Sequence, residues 1–170
     1  MTLSTGNITT IAGNGTAGYS GDKGPATGAE IAAPFDVALG VDCVYIAEFF
    51  GNRIRKVTVS TGIITTIAGT GAGGCNGDNI LATKAQISQP TAVATDGLGD
   101  VFFSDFSNAR VRKVTLSTGN ITTIAGMAPQ DTMEITSWLL KLKLVHLLVL
   151  LLTKWEMFTF ATFPTVVSGK

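Results

Sequence analysis

A ten-residue segment recurs almost unchanged along this chain. STGNITTIAG occupies residues 4–13 and again residues 117–126, and the variant STGIITTIAG occupies residues 60–69. The three copies start 56 and 57 positions apart. A period of this length is typical of an array of one supersecondary unit, so the repeat restricts the possible folds more than any other feature of the sequence.

One repeat unit is predicted to form four short strands. Runs rich in Val, Ile and Thr, which favour strands, alternate with Gly, Asp and Asn, which favour turns. A Ser-Thr-Gly turn before the last run predicts a hairpin. The predicted strands of the first unit are Phe35–Leu39, Cys43–Glu48, Arg53–Val59 and Ile63–Gly69, and the second unit follows at residues 91–126.

Four antiparallel strands per unit predict an all-β fold, a partial β-propeller built of four-stranded blades. Residues 1–126 would hold two full blades, at about 35–69 and 91–126, and one orphan strand at Ile8–Gly13 that could cap a neighbouring three-stranded blade. The Gly-rich segments Thr16–Ala33 and 69–89 are predicted to be long loops, with short helical turns near Ala26–Ile31 and Ala82–Ile87.

Several motifs follow one another in the first unit, namely P-x-x-V-A, V-Y-I-A-E/D, N-R-I-R-K-V and the loop I-A-G-x-G…G-D…A-T; the first and the last recur in the second unit, where the middle two are replaced by the related VFFSD and NARVRKV. Through them residues 2–126 resemble the NHL-repeat family of β-propellers, in particular the long-loop repeats of teneurin-like and microbial proteins. The resemblance implies that the acidic residue after the second strand and the nearby Asn and Arg serve blade-to-blade structure. Those residues are Glu48, Asp105, Asn52, Arg53, Asn108 and Arg110.

The repeat pattern stops after Gly126. The apolar run Leu139–Leu152 is shorter than the roughly 20 residues that span a membrane, and it contains Lys and His. If one nucleotide is missing after the Gly126 codon, the single codons of Met and Trp force glycine at three positions where the previous repeat has glycine. The sequence therefore predicts that residues 127–170 are an out-of-frame reading of a further repeat. As written, they would form a helical or disordered tail with no native domain.

Composition excludes some classes of function. Twelve basic and twelve acidic residues balance, which does not favour nucleic acid or an anionic membrane as a partner. His146, the single histidine, lies in the tail, and the repeats contain no nucleophile or phosphate-loop motif. No catalytic residue, metal site or cofactor is predicted. Cys43 and Cys75 occupy different phases of the repeat, and a disulfide between them stays an open alternative.

Charged residues that recur once per blade are the candidate binding residues. The arginines could form a positive ring for RNA or a phosphorylated partner, as the resemblance allows, but the favoured interpretation is solvent-facing strand positions that discourage edge pairing. The aspartates could bind a cation through loop oxygens, but turn formation is favoured. The candidates are Arg53, Arg55, Arg110, Arg112, Asp22 and Asp78.

Two function classes stay open. The favoured one is a non-catalytic binding module that uses a face of a complete propeller for a protein or glycan partner. In this interpretation the chain is a fragment of a larger protein, and its first residue falls within a blade. The alternative is a fragment of a propeller enzyme of the amidating lyase or lactonase type, which needs His, Asp or Glu converging on the central channel. Exposed blade edges could also support self-association. The compartment is unknown; no signal peptide is visible, and the parent protein could be extracellular.

Overall fold

Two antiparallel sheets form the described part of the chain. A computed structural model describes residues 6–126; the predicted tail at 127–170 lies outside the described residues. Blade 1 has the order β1-β2-β3-β4, and blade 2 has the order β5-β9-β8-β7-β6. The strands are β1 (Pro34–Gly40), β2 (Cys43–Glu48), β3 (Arg53–Thr58), β4 (Ile63–Ala68), β5 (Ile80–Leu81), β6 (Pro90–Thr95), β7 (Asp100–Asp105), β8 (Arg110–Thr115) and β9 (Asn120–Ala125).

The four predicted strands of each unit are confirmed, and so is the fold class, a partial β-propeller. The strands β1–β4 of blade 1 and β6–β9 of blade 2 each form a meander in which consecutive strands pair, because short turns join them. Between β3 and β4, Gly62 has φ +67°, a conformation that glycine adopts without the steric cost of a Cβ. Residues 8–13 form no strand, however, because no strand within the described residues 6–126 pairs with them.

The two blades stack face to face. We name the face of each blade that points back along the array the leading face, and the opposite face the trailing face. The trailing face of blade 1, which includes Tyr45 and Ala47, packs on the leading face of blade 2, which includes Val93 and Phe103, in one buried apolar cluster. At the inner strands, the Val93 amide donates to Asp36 Oδ2 at 2.8 Å. Nearest-neighbour packing of this kind is what holds a repeat array together.

The long loops are more regular than the sequence predicts. A short 3₁₀ helix lies in each, at Ala26–Gly28 and Ala82–Lys84, within the predicted helical turns. The second loop also contains β5, which pairs with the outer strand β9 and so covers the edge of blade 2. In the first loop, Pro25 forms the equivalent bridge with Ile63 of β4. Each loop therefore protects the outer edge of the blade that follows it.

Among residues 6–126, no helix is both long and apolar enough to cross a bilayer.

Candidate functional site

Arg55 lies at the centre of a buried ionic cluster in blade 1. Its side chain is fully buried on the leading face of β3. Arg55 pairs with Ile46 of β2, and Glu48 lies two residues further along β2. Because residues two apart on a strand share a face, Glu48 lies on the same face as Arg55. Arg55 Nη1 lies 3.1 Å from Glu48 Oε1, and Nη2 lies 2.8 Å from Asp22 Oδ1 in the long loop. Nη2 also donates to the Ser20 carbonyl at 3.1 Å. One guanidinium thus joins the loop to the sheet.

Blade 2 repeats this cluster with Arg112. Arg112 Nη1 lies 3.3 Å from Asp105 Oδ2, and Nη2 lies 2.9 Å from Asp78 Oδ1. Nη2 donates to the Gly77 carbonyl at 2.7 Å. We name these two sets of residues the loop clamps: Asp22, Glu48 and Arg55 in blade 1, and Asp78, Asp105 and Arg112 in blade 2.

The expectation that these arginines face solvent is wrong for Arg55 and Arg112, which are fully buried. The alternation of a half-buried strand predicted for β3 is not observed, because the adjacent residues Ile54 and Arg55 are both buried and both faces of the strand are covered. In blade 1, the neighbouring blade covers the trailing face and the long loop covers the leading face. The sequence signal that could have located the clamp is the Gly-Asp pair of the loop, which recurs in step with the arginine.

Burial dominates the electrostatics of the two clamp acids. Desolvation raises the pKa of Glu48 to about 7, against the opposing attraction of Arg55. Within residues 6–126, the buried Glu48 Oε2 has no hydrogen-bond partner. Burial also raises the pKa of Asp105, although its Oδ1 accepts bonds from the Asn108 side chain at 2.7 Å and the Ser88 amide at 2.6 Å. The blade 2 carboxylate is therefore better solvated by the protein than its blade 1 counterpart.

Arg53 and Arg110 differ from the clamp arginines because they are only half-buried. The Arg53 guanidinium lies 3.5 Å above the centre of the Tyr19 ring and donates to the Thr70 carbonyl at 2.8 Å. In blade 2 the position of Tyr19 is occupied by Cys75, whose thiol accepts a hydrogen bond from Arg110. Both cysteines are free thiols in the structure.

Asn52, in the turn between β2 and β3, connects the two blades, as the resemblance implied. Asn52 donates to the Gly71 carbonyl at 3.1 Å and accepts from the Gln89 amide at 2.8 Å, so its side chain bonds both ends of the loop that leads to blade 2. Glu48 and Asp105 instead act within a blade and its own loop.

Asp22 and Asp78 have side-chain partners and do more than form turns. Besides the clamp arginines, Asp22 accepts from the Tyr19 hydroxyl at 3.1 Å, and Asp78 accepts from the Thr123 hydroxyl at 2.9 Å. Among residues 6–126, no three His, Cys, Asp or Glu side chains lie close enough together to hold a metal ion. The chemistry of the clamps is that of a cross-link: a fixed cation holds a loop carboxylate and loop carbonyls to the sheet.

No protein-family model matches the chain. Protein SUPPRESSOR OF QUENCHING 1, chloroplastic, of Arabidopsis thaliana is 30% identical over 86 residues, which are 48% of this chain and 8% of that protein. The chain thus spans less than a tenth of the length of this curated relative.

Solved structures with similarity to the chain include three of low overlap. A protein of unknown function from Bacteroides thetaiotaomicron has a TM-score of 0.45 and 22% identity, over 54% of this chain and 22% of that one. The nidogen/laminin complex has a TM-score of 0.42 and 18% identity, over 55% and 31%. Virginiamycin B lyase of Staphylococcus aureus has a TM-score of 0.26 and 21% identity, over 58% and 42%.

Proposed function

We propose that this chain is part of an NHL-type, teneurin-like β-propeller that acts as a non-catalytic binding module for a protein or glycan partner. The observation that carries the proposal is that buried charged side chains hold the long loops on the blades. Arg55 and Arg112 are fully buried in ion pairs that fix the long loops. Fixed loops on a rigid scaffold are the usual basis of recognition surfaces in repeat proteins.

The partner contacts are proposed to include Arg53 and Arg110. Of the four candidate arginines, these two keep partial exposure, and each stands at the equivalent position of its blade. Arginine next to an aromatic ring or a polar backbone can bind a partner through several donors without a large entropic cost. Nucleic acid is not the favoured partner, because the chain carries no net positive charge.

The test is a comparison of binding with turnover. The labelled full chain is applied to a protein array and a glycan array, and in parallel it is assayed for lactone hydrolysis and for cleavage of peptidyl-hydroxyglycine. We expect saturable binding without turnover, reduced in the variant Arg53→Gln/Arg110→Gln and unchanged in Lys84→Gln, a matched exposed control. Turnover of either substrate would support the alternative, a fragment of a propeller enzyme.

Residues 127–170 are proposed to be an out-of-frame reading of a further NHL-type repeat in a larger parent protein. The support is in the sequence: Met127–Ala128, Met133–Glu134 and Trp155–Glu156 each restore glycine where the preceding repeat has Gly71, Gly77 and Gly99. Mass spectrometry of tryptic peptides from the native protein tests this directly. Peptides that match residues 137–141 or 155–170 as written would contradict it.

A further inference from the structure

A cleft of about 220 Å³ lies between the two blades, at the end that carries the β1–β2 turn and the β6–β7 turn. Blade 1 lines it with Tyr45 of β2 and Lys56 of β3, which pair across the two strands and share the trailing face. Blade 2 lines it with residues 97–99 and Leu116. Clefts that bind drug-sized molecules measure about 300–1,000 Å³, so this one suits a group of only a few heavy atoms.

Lys56 supplies the charge of this cleft. Of the lining residues that the structure describes, Lys56 alone is charged at neutral pH. Its side chain is half-buried, and within residues 6–126 it forms no ion pair. A cation that is partly withdrawn from water attracts an anion more strongly than one in open solvent, because the effective dielectric constant is lower. The cleft therefore favours an anionic group beside Lys56.

The equivalent lysine of blade 2 shows which kind of anion this position accepts. Lys113 has the same register position in β8 as Lys56 in β3, and its Nζ lies 2.8 Å from Oδ2 of Asp100, the first residue of β7. In blade 1 the position of Asp100 is occupied by Cys43, the first residue of β2. Blade 1 thus keeps the cation of the pair but has a thiol where blade 2 has the carboxylate.

The rest of the cleft is uncharged and largely apolar. Leu116 packs against the buried cluster between the blades, and Val41 and Leu98 line the cleft with largely exposed side chains. Asp96, in the neighbouring turn, is engaged elsewhere, since its Oδ1 accepts the Leu98 amide at 2.8 Å and two further amides of the turn. A ligand that fits this lining carries a carboxylate for Lys56 and a short apolar chain for the aliphatic side chains.

We propose that the cleft between the blades binds a carboxylate on a short apolar chain, held by the ammonium of Lys56. A free short-chain carboxylic acid and an acidic side chain of a partner polypeptide both present this group. An ammonium–carboxylate contact is a charge-assisted hydrogen bond, and burial of the apolar chain adds to it. The cleft lies at the opposite end of the strands from Arg53 and Arg110, so this inference does not rest on the partner contacts proposed there.

The experiment is an NMR titration of the isotope-labelled full chain with three probes: isovalerate, its uncharged analogue isovaleramide, and the acidic dipeptide acetyl-leucyl-aspartyl amide. The backbone amide shifts of Leu98 and Gly99 should saturate with at least one carboxylate, with a Kd on the order of 1–10 mM for so small a ligand. Isovaleramide should bind at least about tenfold more weakly than isovalerate. Tighter binding of isovalerate would identify a free acid as the source, and tighter binding of the dipeptide would identify a partner chain.

Variants of the chain test the role of the lysine. Lys56→Gln should weaken carboxylate binding at least about tenfold, whereas the matched control Lys113→Gln should leave it unchanged, because Lys113 is already paired with Asp100. Cys43→Asp recreates the blade 2 pair and should reduce binding by a similar factor, with a dispersed amide spectrum as the check that the variant is folded.

Three results would overturn the proposal: no saturation by either carboxylate at about 10 mM, equal losses in Lys56→Gln and Lys113→Gln, or equal affinity for isovalerate and isovaleramide. The array experiment with Arg53→Gln/Arg110→Gln does not involve this cleft, so failure of one proposal is distinguishable from failure of the other.

Discussion

Removal of Arg55 should destabilise the fold far more than removal of a typical strand arginine. The variant Arg55→Met largely keeps the side-chain volume. Glu48 stays fully buried but loses Arg55, its ion-pair partner in the loop clamp. Leaving one member of a buried ion pair costs about 3–5 kcal/mol. The loop also loses the bonds from the guanidinium to Asp22 and the Ser20 carbonyl.

The equivalent change in blade 2 provides the matched control. After Arg112→Met, Asp105 still accepts hydrogen bonds from the Ser88 amide and the Asn108 side chain, whereas Glu48 Oε2 has no hydrogen-bond partner among the described residues even before substitution. Hydrogen bonds to a charged acceptor contribute about 1.5–3 kcal/mol each, so we expect Arg112→Met to cost at least about 2 kcal/mol less than Arg55→Met.

The assay is urea denaturation followed by circular dichroism, with the free energy of unfolding compared at pH 8 and pH 5. The double variant Glu48→Gln/Arg55→Met should recover part of the loss, because no buried charge remains. The deficit of Arg55→Met should also shrink at pH 5, where the unpaired Glu48 is protonated in the folded state. A loss below about 1 kcal/mol, or equal losses for Arg55→Met and Arg112→Met, would refute the argument that the clamp carries this energy.

Four further outcomes are expected. The pKa of Glu48 is about 7 in the folded state against 4.5 for the free residue, so between these pH values the folded state binds one proton more than the unfolded state. The free energy of unfolding should therefore fall by on the order of 3 kcal/mol as pH rises from 4.5 to above 7. Denaturation curves of Glu48→Gln should show a smaller dependence on pH. Gly69→Ala should cost more than about 2 kcal/mol by thermal melting, since its Cβ would clash with the Asn52 carbonyl oxygen, while Gly62→Ala, with open space around it, should cost only about 1 kcal/mol. Tyr19→Leu should cost about 0.5–1 kcal/mol through loss of the Arg53 contact, and a stability unchanged within 0.2 kcal/mol would contradict that role. Val93→Asp should lower the urea midpoint strongly and Val37→Asp hardly at all; similar effects would mean that the leading face of blade 1 is covered.

Most of the strand arrangement could be predicted because the repeat supplies two readings of the same pattern. The β-rich runs and their turns recur, so the bounds of β2 and β3 agree with prediction to within one residue. The strand β5 could not be predicted, since Ile80–Leu81 has no apolar counterpart at the equivalent positions of the first loop, which are Gly24–Pro25. Its pairing with β9 depends on the loop folding back over the blade that follows it.

The candidate site was predicted in composition but not in burial. Sequence periodicity suggests that β3 is half-buried, but it cannot show that a loop some 30 residues away covers the face that carries Arg55. Arg55 and Arg112 were therefore expected at the surface, whereas the loop clamps bury them. The clamps also explain why Gly-Asp and the arginine recur at one period, because each is useful only where the other is present.

The same comparison between equivalent positions indicates where the chain is free to carry function. Residues that recur, such as the clamp acids and arginines, are committed to holding each loop on its blade. Positions that differ are released from that role: Cys75 replaces Tyr19 beside the half-buried arginine, and Ala109 replaces Asn52 at the strand turn. In a nearest-neighbour array, a change at one blade alters one interface and leaves the others intact. We therefore expect specificity for a partner to lie in the side chains that vary beside Arg53 and Arg110, with the charges of the loop clamps serving to hold them in place.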